Sequence, residues 1–182
     1  MNEERLVRTS KFLSKHLRHH PAGLGLELEP GGWVAVSDLL AGCARKGKRI
    51  SMVELREVVE QNSKQRFSFD ETGEKIRANQ GHSVEVDLEL EPREPLARLF
   101  HGTGHRTADL IEKQGLQKMR RHHVHLSPDA ETAVKVGARH GRPVVFQVDS
   151  GAMSREGHVF YCSENGVWLV DAVPAPYLRR ES

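Results

Sequence analysis

The spacing of apolar residues changes near residue 66, and this change limits what the chain can fold into. Before that point apolar residues recur at helical intervals, as Leu6, Leu13 and Leu17 do. Beyond it, polar and apolar residues alternate over residues 66–69 and 75–78, with a turn-forming segment between them. Helices followed by a hairpin predict an α+β fold.

The first part of the chain has the signals of three helices. We predict helices over residues 3–18 and 37–46, the second capped by Ser37, and a third that opens with the capping box of Ser51 and Glu54. Three helices before a hairpin is the element order of a winged helix. That architecture binds nucleic acid in some proteins and is a plain scaffold in others, so it does not establish a function.

An acidic, proline-containing strip divides the chain. Residues 85–94 contain five acidic residues and one arginine, although the formal net charge of the whole chain is only +2. The strip alternates like an edge strand and stops at two prolines. We therefore predict a winged-helix lobe over residues 1–84, a linker over 85–95 and a second lobe over 96–182. Neither lobe is basic enough to require nucleic acid on charge alone.

Short apolar segments dominate the second lobe. Strands are predicted over residues 99–101, 123–126, 144–148, 158–161 and 167–170. Helices are expected near residues 106–114 and 128–139, the latter with Ser127 as cap and Pro128 at its first position. This pattern predicts a mixed, mainly β lobe.

Several classes of protein are excluded by composition. The sequence lacks an apolar run long enough to span a membrane, and its charged N-terminus argues against a secretory signal. Cys43 and Cys162 cannot form a disulfide framework, so we expect reduced thiols, a cytoplasmic location and no membrane partner. A monomer is expected, because no clear exposed apolar face is evident. The 11 histidines, several beside arginines, are less ordinary.

Basic residues of the first lobe form two candidate sites. Arg18 and His19 end the first helix, where cations also complement the helix dipole without any further role. Lys64 and Arg66 are two residues apart and share a face if the strand begins early, although a solvated basic edge explains such a pair as well. The segment Gly81-His82-Ser83 follows the hairpin, where backbone N–H groups could hold an anion.

The second lobe has two further candidates. At the end of a predicted strand lies His101-Gly102-Thr103, where glycine permits close approach of a ligand, although this is also an ordinary strand exit. His123 and His125 are expected on one face of another strand. Zinc is an alternative there, but a closed zinc site needs four ligands and the adjacent arginines would repel a dication. Arginines and histidines fit a phosphate better, and we predict no metal.

In this order, six motifs resemble the tRNA 2′-phosphotransferase family (the bacterial KptA type). They read LSKHLRHHP, NSKQRFSF, IRANQGHSV, LFHGT, RHHVHLS and VGARHG. The resemblance implies a winged-helix RNA lobe and an ADP-ribosyltransferase-like lobe that uses NAD as a consumed co-substrate. It further implies transfer of an internal RNA 2′-phosphate to NAD through RNA-2′-phospho-ADP-ribose, as in tRNA splicing. The products would be 2′-hydroxyl RNA, ADP-ribose 1″,2″-cyclic phosphate and nicotinamide.

The same resemblance implies roles for individual residues. The matches to its catalytic residues are Arg18, His19, Arg66 and Arg121. Predicted phosphate or RNA contacts are Lys64, His82 and Ser83. Predicted NAD contacts are His101, Gly102, Thr103, His125, Ser127 and Arg139. The family pattern R-x-H-V-H selects Arg121 and leaves Arg120 outside the site.

Two other functions remain open from the sequence. The first is an ADP-ribosyltransferase that stops after the first step, on terminal phosphates of nucleic acid or on protein. The other is a winged-helix module that binds nucleic acid without catalysis. His101-Gly102-Thr103 argues against the second, because a pure binder needs no NAD pocket.

Overall fold

A computed structural model describes residues 1–181 of the chain. The chain divides into two compact units, Met1–Glu89 and a second that begins at Leu90. The division lies inside the strip over residues 85–95 that the sequence singled out as a linker. Both units combine helices with antiparallel strands, as predicted.

The described residues contain six α-helices and eleven strands. The helices are α1 Glu3–His19, α2 Val36–Arg45, α3 Met52–Glu60, α4 His105–Gln114, α5 Ala130–Gly137 and α6 Ser150–Arg155. The strands are β1 Trp33–Ala35, β2 Phe67–Phe69, β3 Lys75–Ala78, β4 Leu99–Gly104, β5 Leu116–Gln117, β6 Val124–Leu126, β7 Pro143–Val148, β8 Phe160–Cys162, β9 Trp168–Val170, β10 Ala172–Val173 and β11 Leu178–Arg180. In the part of the chain that the structure describes, no helix is both long and apolar enough to cross a membrane.

The first unit packs three helices with one small sheet. Its strands lie in the order β1-β3-β2, all antiparallel, so that β1 joins the predicted hairpin. One apolar core is shared by the helices and the hairpin, with Leu13, Leu17, Leu39, Leu55 and Ile76 fully buried. Burial of these side chains supplies the main driving force for the fold.

Helix starts in the first unit agree with the sequence in one case and differ in another. Ser51 and Glu54 form the predicted capping box, each side chain bonded to the other's backbone N–H. Helix α2, in contrast, begins at Val36 with Ala35 as its cap. The prediction of Ser37 as cap is wrong, because the chain turns helical one residue earlier and Ser37 lies in the first turn.

The second unit contains three small antiparallel sheets. Their strand orders are β11-β7-β4, β6-β9-β8 and β10-β5. Strands β4 and β6 are joined where Phe100 and Ser127 exchange two backbone hydrogen bonds of 2.9 and 2.7 Å. This junction brings the predicted NAD-contacting segments of the two strands side by side.

Helix α5 packs directly on the backbone of β4. A Cβ atom at Gly102 would lie 1.7 Å from the carbonyl oxygen of Ala133 and 2.9 Å from the nitrogen of Gly137. A Cβ atom added at Gly104 would likewise lie 2.2 Å from the carbonyl oxygen of His140. Close approach of a helix, rather than of a ligand, is thus the structural reason for glycine at position 102.

In this part of the chain the acidic strip forms no strand over residues 85–91, one cap prediction is wrong, and two elements were not predicted. Residues 85–91 form no strand, because the Glu89 N–H bonds to the Asp87 side chain and Glu89 has a φ of 52°. Helix α5 is capped by Asp129, not Ser127, whose backbone pairs with Phe100 instead. The sequence also gave no indication of α6 or of the edge strand β11.

Candidate active site

The end of α1 positions Arg18 and His19 together with Ser83. The Ser83 N–H donates to the Arg18 carbonyl oxygen at 2.9 Å, and the Ser83 hydroxyl lies 2.9 Å from His19 Nδ1. His19 is exposed and Arg18 is half-buried. Two predicted catalytic residues are therefore fixed on one helix end by a third predicted site residue.

Backbone donors at Gly81-His82-Ser83 are not arranged as predicted. The Ser83 N–H is already bonded to the Arg18 carbonyl, so it is not available to an anion. The His82 side chain is completely buried, with Gly32 and Leu88 among its surroundings. The structure thus assigns Ser83 to the support of α1, whereas contact of His82 or Ser83 with RNA stays a prediction.

A single turn carries Lys64 and Arg66. Asn62, which is 5% exposed, accepts from the Lys64 N–H at 3.1 Å and from Arg66 Nη1 at 3.0 Å through the same Oδ1 atom. Strand β2 begins only at Phe67, and Gln65 has a φ of 38°. The strand does not begin early enough for the two cations to share its face, and the turn held by Asn62 carries them instead.

His101, Arg121 and His125 form a hydrogen-bonded chain in the second unit. His101 Nδ1 lies 3.1 Å from the His125 carbonyl oxygen, and Arg121 Nη1 lies 3.2 Å from His125 Nδ1. A carbonyl only accepts and a guanidinium only donates. His101 therefore carries its proton on Nδ1, and His125 presents a bare Nδ1 to Arg121.

Burial of its ring lowers the pKa of His101 from the ordinary 6.5, and the neighbouring charges of Arg121 and His140 act in the same direction. The hydrogen bond to the His125 carbonyl opposes this shift. Because the neutral ring donates through Nδ1, its Nε2 atom is an acceptor. Such a ring can accept a hydrogen bond from a hydroxyl group.

His123 and His125 lie on either side of Val124, the first residue of β6. Strand β6 begins at Val124, so His123 precedes the strand, and its ring packs 5.4 Å from that of Tyr161. Burial, together with the nearby His122 and Lys118, lowers the pKa of His123. The register aligns His125 with Tyr161 through Leu169, so the contact of His123 with Tyr161 agrees with the expected shared face.

Other predicted residues of the second unit have mainly structural contacts. Thr103 is buried, and its hydroxyl lies 2.7 Å from that of Thr107 in α4. Ser127 is held by its backbone beside Phe100. Arg139 is exposed in the short helical turn Ala138–His140. Thr103 and Ser127 thus lie on paired strands, and Arg139 lies next to the β4–α5 packing.

Sequence reasoning missed two buried asparagines that shape the Lys64–Arg66 turn. Asn62 also donates to Ser10 Oγ at 2.9 Å, and Asn79 Nδ2 donates to the Gln65 carbonyl at 2.7 Å. The sequence does contain a signal for Asn62, since an asparagine side chain commonly accepts from the backbone N–H two residues later and so forms a turn. Asn79 had no such signal, because its partner is 14 residues away.

Comparison of the amino-acid sequence with known proteins identifies a family. The model of the RNA 2′-phosphotransferase, Tpt1 / KptA family matches residues 4–172. A probable RNA 2′-phosphotransferase of Nostoc punctiforme is 59% identical over 180 residues, which is 99% of each chain. Proteins of the same description from Trichormus variabilis and Herpetosiphon aurantiacus are 61% identical, over 98% of each chain, and 56% identical, over 100% of each. The chain therefore belongs to the RNA 2′-phosphotransferase, Tpt1 / KptA family.

Proposed function

We propose that the protein is an enzyme that removes an internal 2′-phosphate from RNA and transfers it to NAD, leaving a 2′-hydroxyl. The observation that carries the proposal is the family match over residues 4–172, which includes every predicted site residue. Two hydrogen-bonded groups of basic residues support the proposal: Lys64 and Arg66 around Asn62, and Arg121 with His125. Cations held in fixed positions suit a phosphate substrate.

We assign the first unit to RNA and the second to NAD. The order α1-β1-α2-α3-β2-β3, with β1 added to the hairpin sheet, fits a winged helix. The second unit, with its small antiparallel sheets, is proposed to be the ADP-ribosyltransferase-like lobe. A cytoplasmic, monomeric enzyme of tRNA processing is consistent with this assignment.

The proposed chemistry needs cations more than bases. A phosphate monoester with a second pKa near ~6 is largely a dianion at pH 7, so it can attack the nicotinamide ribose without a strong base. In the second step the 2″-hydroxyl of the transferred ribose would attack phosphorus and expel the RNA 2′-oxygen. Arg18, Arg66 and Arg121 would hold the phosphate and stabilise the charge that develops on it in this step. Arginine keeps its proton at this pH, so His19 is the proposed proton donor to the leaving RNA oxygen.

The chemistry of the second unit's polar groups fits NAD. The half-buried His101 ring offers an acceptor atom suited to a ribose hydroxyl, and Thr103 adds a hydroxyl of its own. The residues proposed to hold NAD are His101, Gly102, Thr103, His125, Ser127 and Arg139. NAD would supply the electrophilic ribose carbon, with nicotinamide as leaving group.

A short RNA with one internal 2′-phosphate, incubated with and without NAD, tests the proposal. We expect loss of the phosphate only with NAD, together with release of ADP-ribose 1″,2″-cyclic phosphate. A persistent ADP-ribosylated RNA would instead indicate a transferase that stops after the first step. The absence of any reaction would leave only a binding role and overturn the proposal.

A further inference from the structure

Asn62 is the common hydrogen-bonding centre of the turn that carries Lys64 and Arg66. Its Oδ1 accepts from the Lys64 N–H and from Arg66 Nη1, at 3.1 and 3.0 Å, and its Nδ2 donates to Ser10 Oγ in α1 at 2.9 Å. Asn62 is almost fully buried, so its bond to Ser10 is shielded from water, whereas the bonds to Lys64 and Arg66 are partly buried. The turn and the arginine head are thus tied to the longest helix of the unit.

The turn is held in a backbone conformation that it would not adopt by itself. Gln65 has a φ of 38°, which a non-glycine residue rarely adopts. Its N–H donates to the Asn62 carbonyl at 2.7 Å, and its own carbonyl accepts from Asn79 Nδ2 at 2.7 Å. Such conformations persist only where surrounding bonds determine them, and they concentrate at functional sites.

The chemical type of residue 62 determines how Arg66 can act. A carboxylate at this position would also accept from Arg66, but it would pair with the guanidinium and compete with a phosphate. The amide of Asn62 is neutral, so it directs the guanidinium without cancelling its charge. This combination of fixed direction and retained charge is what recognition of a phosphate requires.

We infer that Asn62 is a positioning residue that aims Arg66 at the RNA 2′-phosphate through a neutral amide, which does not itself neutralise the guanidinium. The inference rests on the proposed function and deepens it. Asn62 does not need to touch RNA, since it acts through Arg66 and through the backbone of the turn.

The test compares two matched changes of amide to carboxylate. Asn62→Asp retains an acceptor for Arg66 and Lys64, and Ser10 can donate to it, so we expect a thermal unfolding midpoint close to that of the parent protein. Gln61→Glu makes the same chemical change one residue away, on an exposed side chain. Binding is measured without NAD, using an RNA with an internal 2′-phosphate and the same RNA with a 2′-hydroxyl.

We expect Asn62→Asp to weaken binding of the phosphorylated RNA on the order of tenfold, with little change for the hydroxyl RNA. Gln61→Glu should weaken both RNAs slightly and equally. In an Arg66→Ala background, Asn62→Asp should cause no further loss, because the group it positions is gone. Persistence of the full tenfold loss in that background would overturn the inference.

Two other outcomes are also decisive. If the parent protein itself shows no preference for the 2′-phosphate, the proposed function fails. If the parent protein prefers the phosphate and Asn62→Asp retains that preference while folded, the positioning role fails although the function stands. If Asn62→Asp does not fold, Ser10→Ala replaces it, because this change removes the α1 anchor of Asn62 and leaves the bond to Arg66. Ser10→Ala should reduce the preference for the 2′-phosphate, and Ser10→Thr, which retains a hydroxyl, should restore it.

Discussion

At residue scale, the hydrogen bond from His101 Nδ1 to the His125 carbonyl separates two functions of one ring. The Nδ1 side holds strands β4 and β6 together, whereas Nε2 is the atom proposed to meet NAD. Asparagine can mimic the Nδ1–H donor but has nothing in place of Nε2. We therefore expect His101→Asn to fold like the parent protein and to form almost no ADP-ribosylated RNA in rapid-quench assays.

His101→Ala is the comparison variant, because it removes both functions. It should lose NAD use and also unfold at a lower temperature than His101→Asn. Abundant adduct in either variant would place His101 outside the NAD site.

The lowered pKa of His101 predicts a pH dependence of stability. Burial makes protonation of the His101 ring harder in the folded chain than in the unfolded chain, where the pKa of the ring has its ordinary value of 6.5. The unfolded state therefore binds more protons as the pH falls below that value, and stability falls with it. His123 contributes in the same direction. Denaturant titrations between pH 7 and pH 5, run on His101→Asn, should show a weaker fall than the parent protein does.

The basic residues should divide between the two chemical steps. The 2′-phosphate is a competent nucleophile, whereas the second step must stabilise extra charge, where one lost donor costs about 3 kcal/mol, a hundredfold or more in rate. We expect Lys64→Ala, Arg66→Ala and Arg121→Ala to accumulate RNA-2′-phospho-ADP-ribose transiently. Rapid-quench gels with excess NAD resolve substrate, adduct and product.

Arg120→Ala is the internal control for this experiment. Arg121 is bonded to His125, whereas Arg120 is an exposed side chain outside the family pattern. If Arg120→Ala accumulated adduct and Arg121→Ala behaved like the parent protein, the register would be wrong by one residue. If none of the variants accumulated it, the division between the two steps would fail.

Candidate charged residues could be predicted from the sequence, but the hydrogen-bond partners that orient them could not. Arg66 and Arg121 were accessible through their motifs. Their partners Asn62 and the Nδ1 atom of His125 depend on how a turn and a strand are folded, and an asparagine after a helix is usually interpreted as a turn residue only. The bond from Asn79 to Gln65 joins residues far apart in the chain, which local patterns do not encode.

At the scale of elements, the packing of α5 on β4 depends on the absence of a side chain at Gly102. Because an added Cβ would lie 1.7 Å from the Ala133 carbonyl oxygen, helix and strand must separate to accept it. We expect Gly102→Ala to lower the free energy of unfolding by about 3 kcal/mol, in the upper range for overpacking. Denaturant titration of the parent and variant measures this difference.

Gly166→Ala controls for backbone strain without a clash. Gly166 has a φ of 76°, and a Cβ there would meet nothing within 4 Å. Its cost should be about 1 kcal/mol, from the left-handed conformation alone. A cost at Gly102 no larger than that at Gly166 would show that the helix yields easily to the extra atom.

Local chemistry predicted an element's start where both capping partners are close in sequence. Ser51 and Glu54 form such a pair and were identified correctly. Ser127-Pro128 resembles a helix start equally well, but tertiary pairing with Phe100 takes Ser127 into a strand junction, and Asp129 caps the helix. The alternating strip, predicted as a linker, forms no strand over residues 85–91, where a side-chain bond between Asp87 and Glu89 competes with a ladder.

At the scale of the whole molecule, the two compact units meet between Glu89 and Leu90, within the acidic strip where the composition changes abruptly. Each unit has its own apolar core, one shared by helices α1 to α3 and the sheet of β1 to β3, the other built mainly from strands β4 to β10. The family's motifs lie in both units, so the order of the motifs indicated the family, whereas the net charge did not indicate a function. Net charge was uninformative because the acidic strip offsets the basic residues on either side.

At this scale we also predict that turnover does not depend on a metal ion. In the proposed reaction the phosphate charge is met by arginines, so no step requires a dication. The histidines near Arg121 have other partners, since His125 Nδ1 accepts from that guanidinium and His101 Nδ1 donates to a carbonyl. We expect turnover of a 2′-phosphorylated RNA with NAD to be unchanged in excess chelator, with a zinc-dependent hydrolase in the same buffer as control for chelation. Loss of turnover that zinc restored would require a metal site in the 121–125 segment and would overturn the assignment of Arg121 to the phosphate.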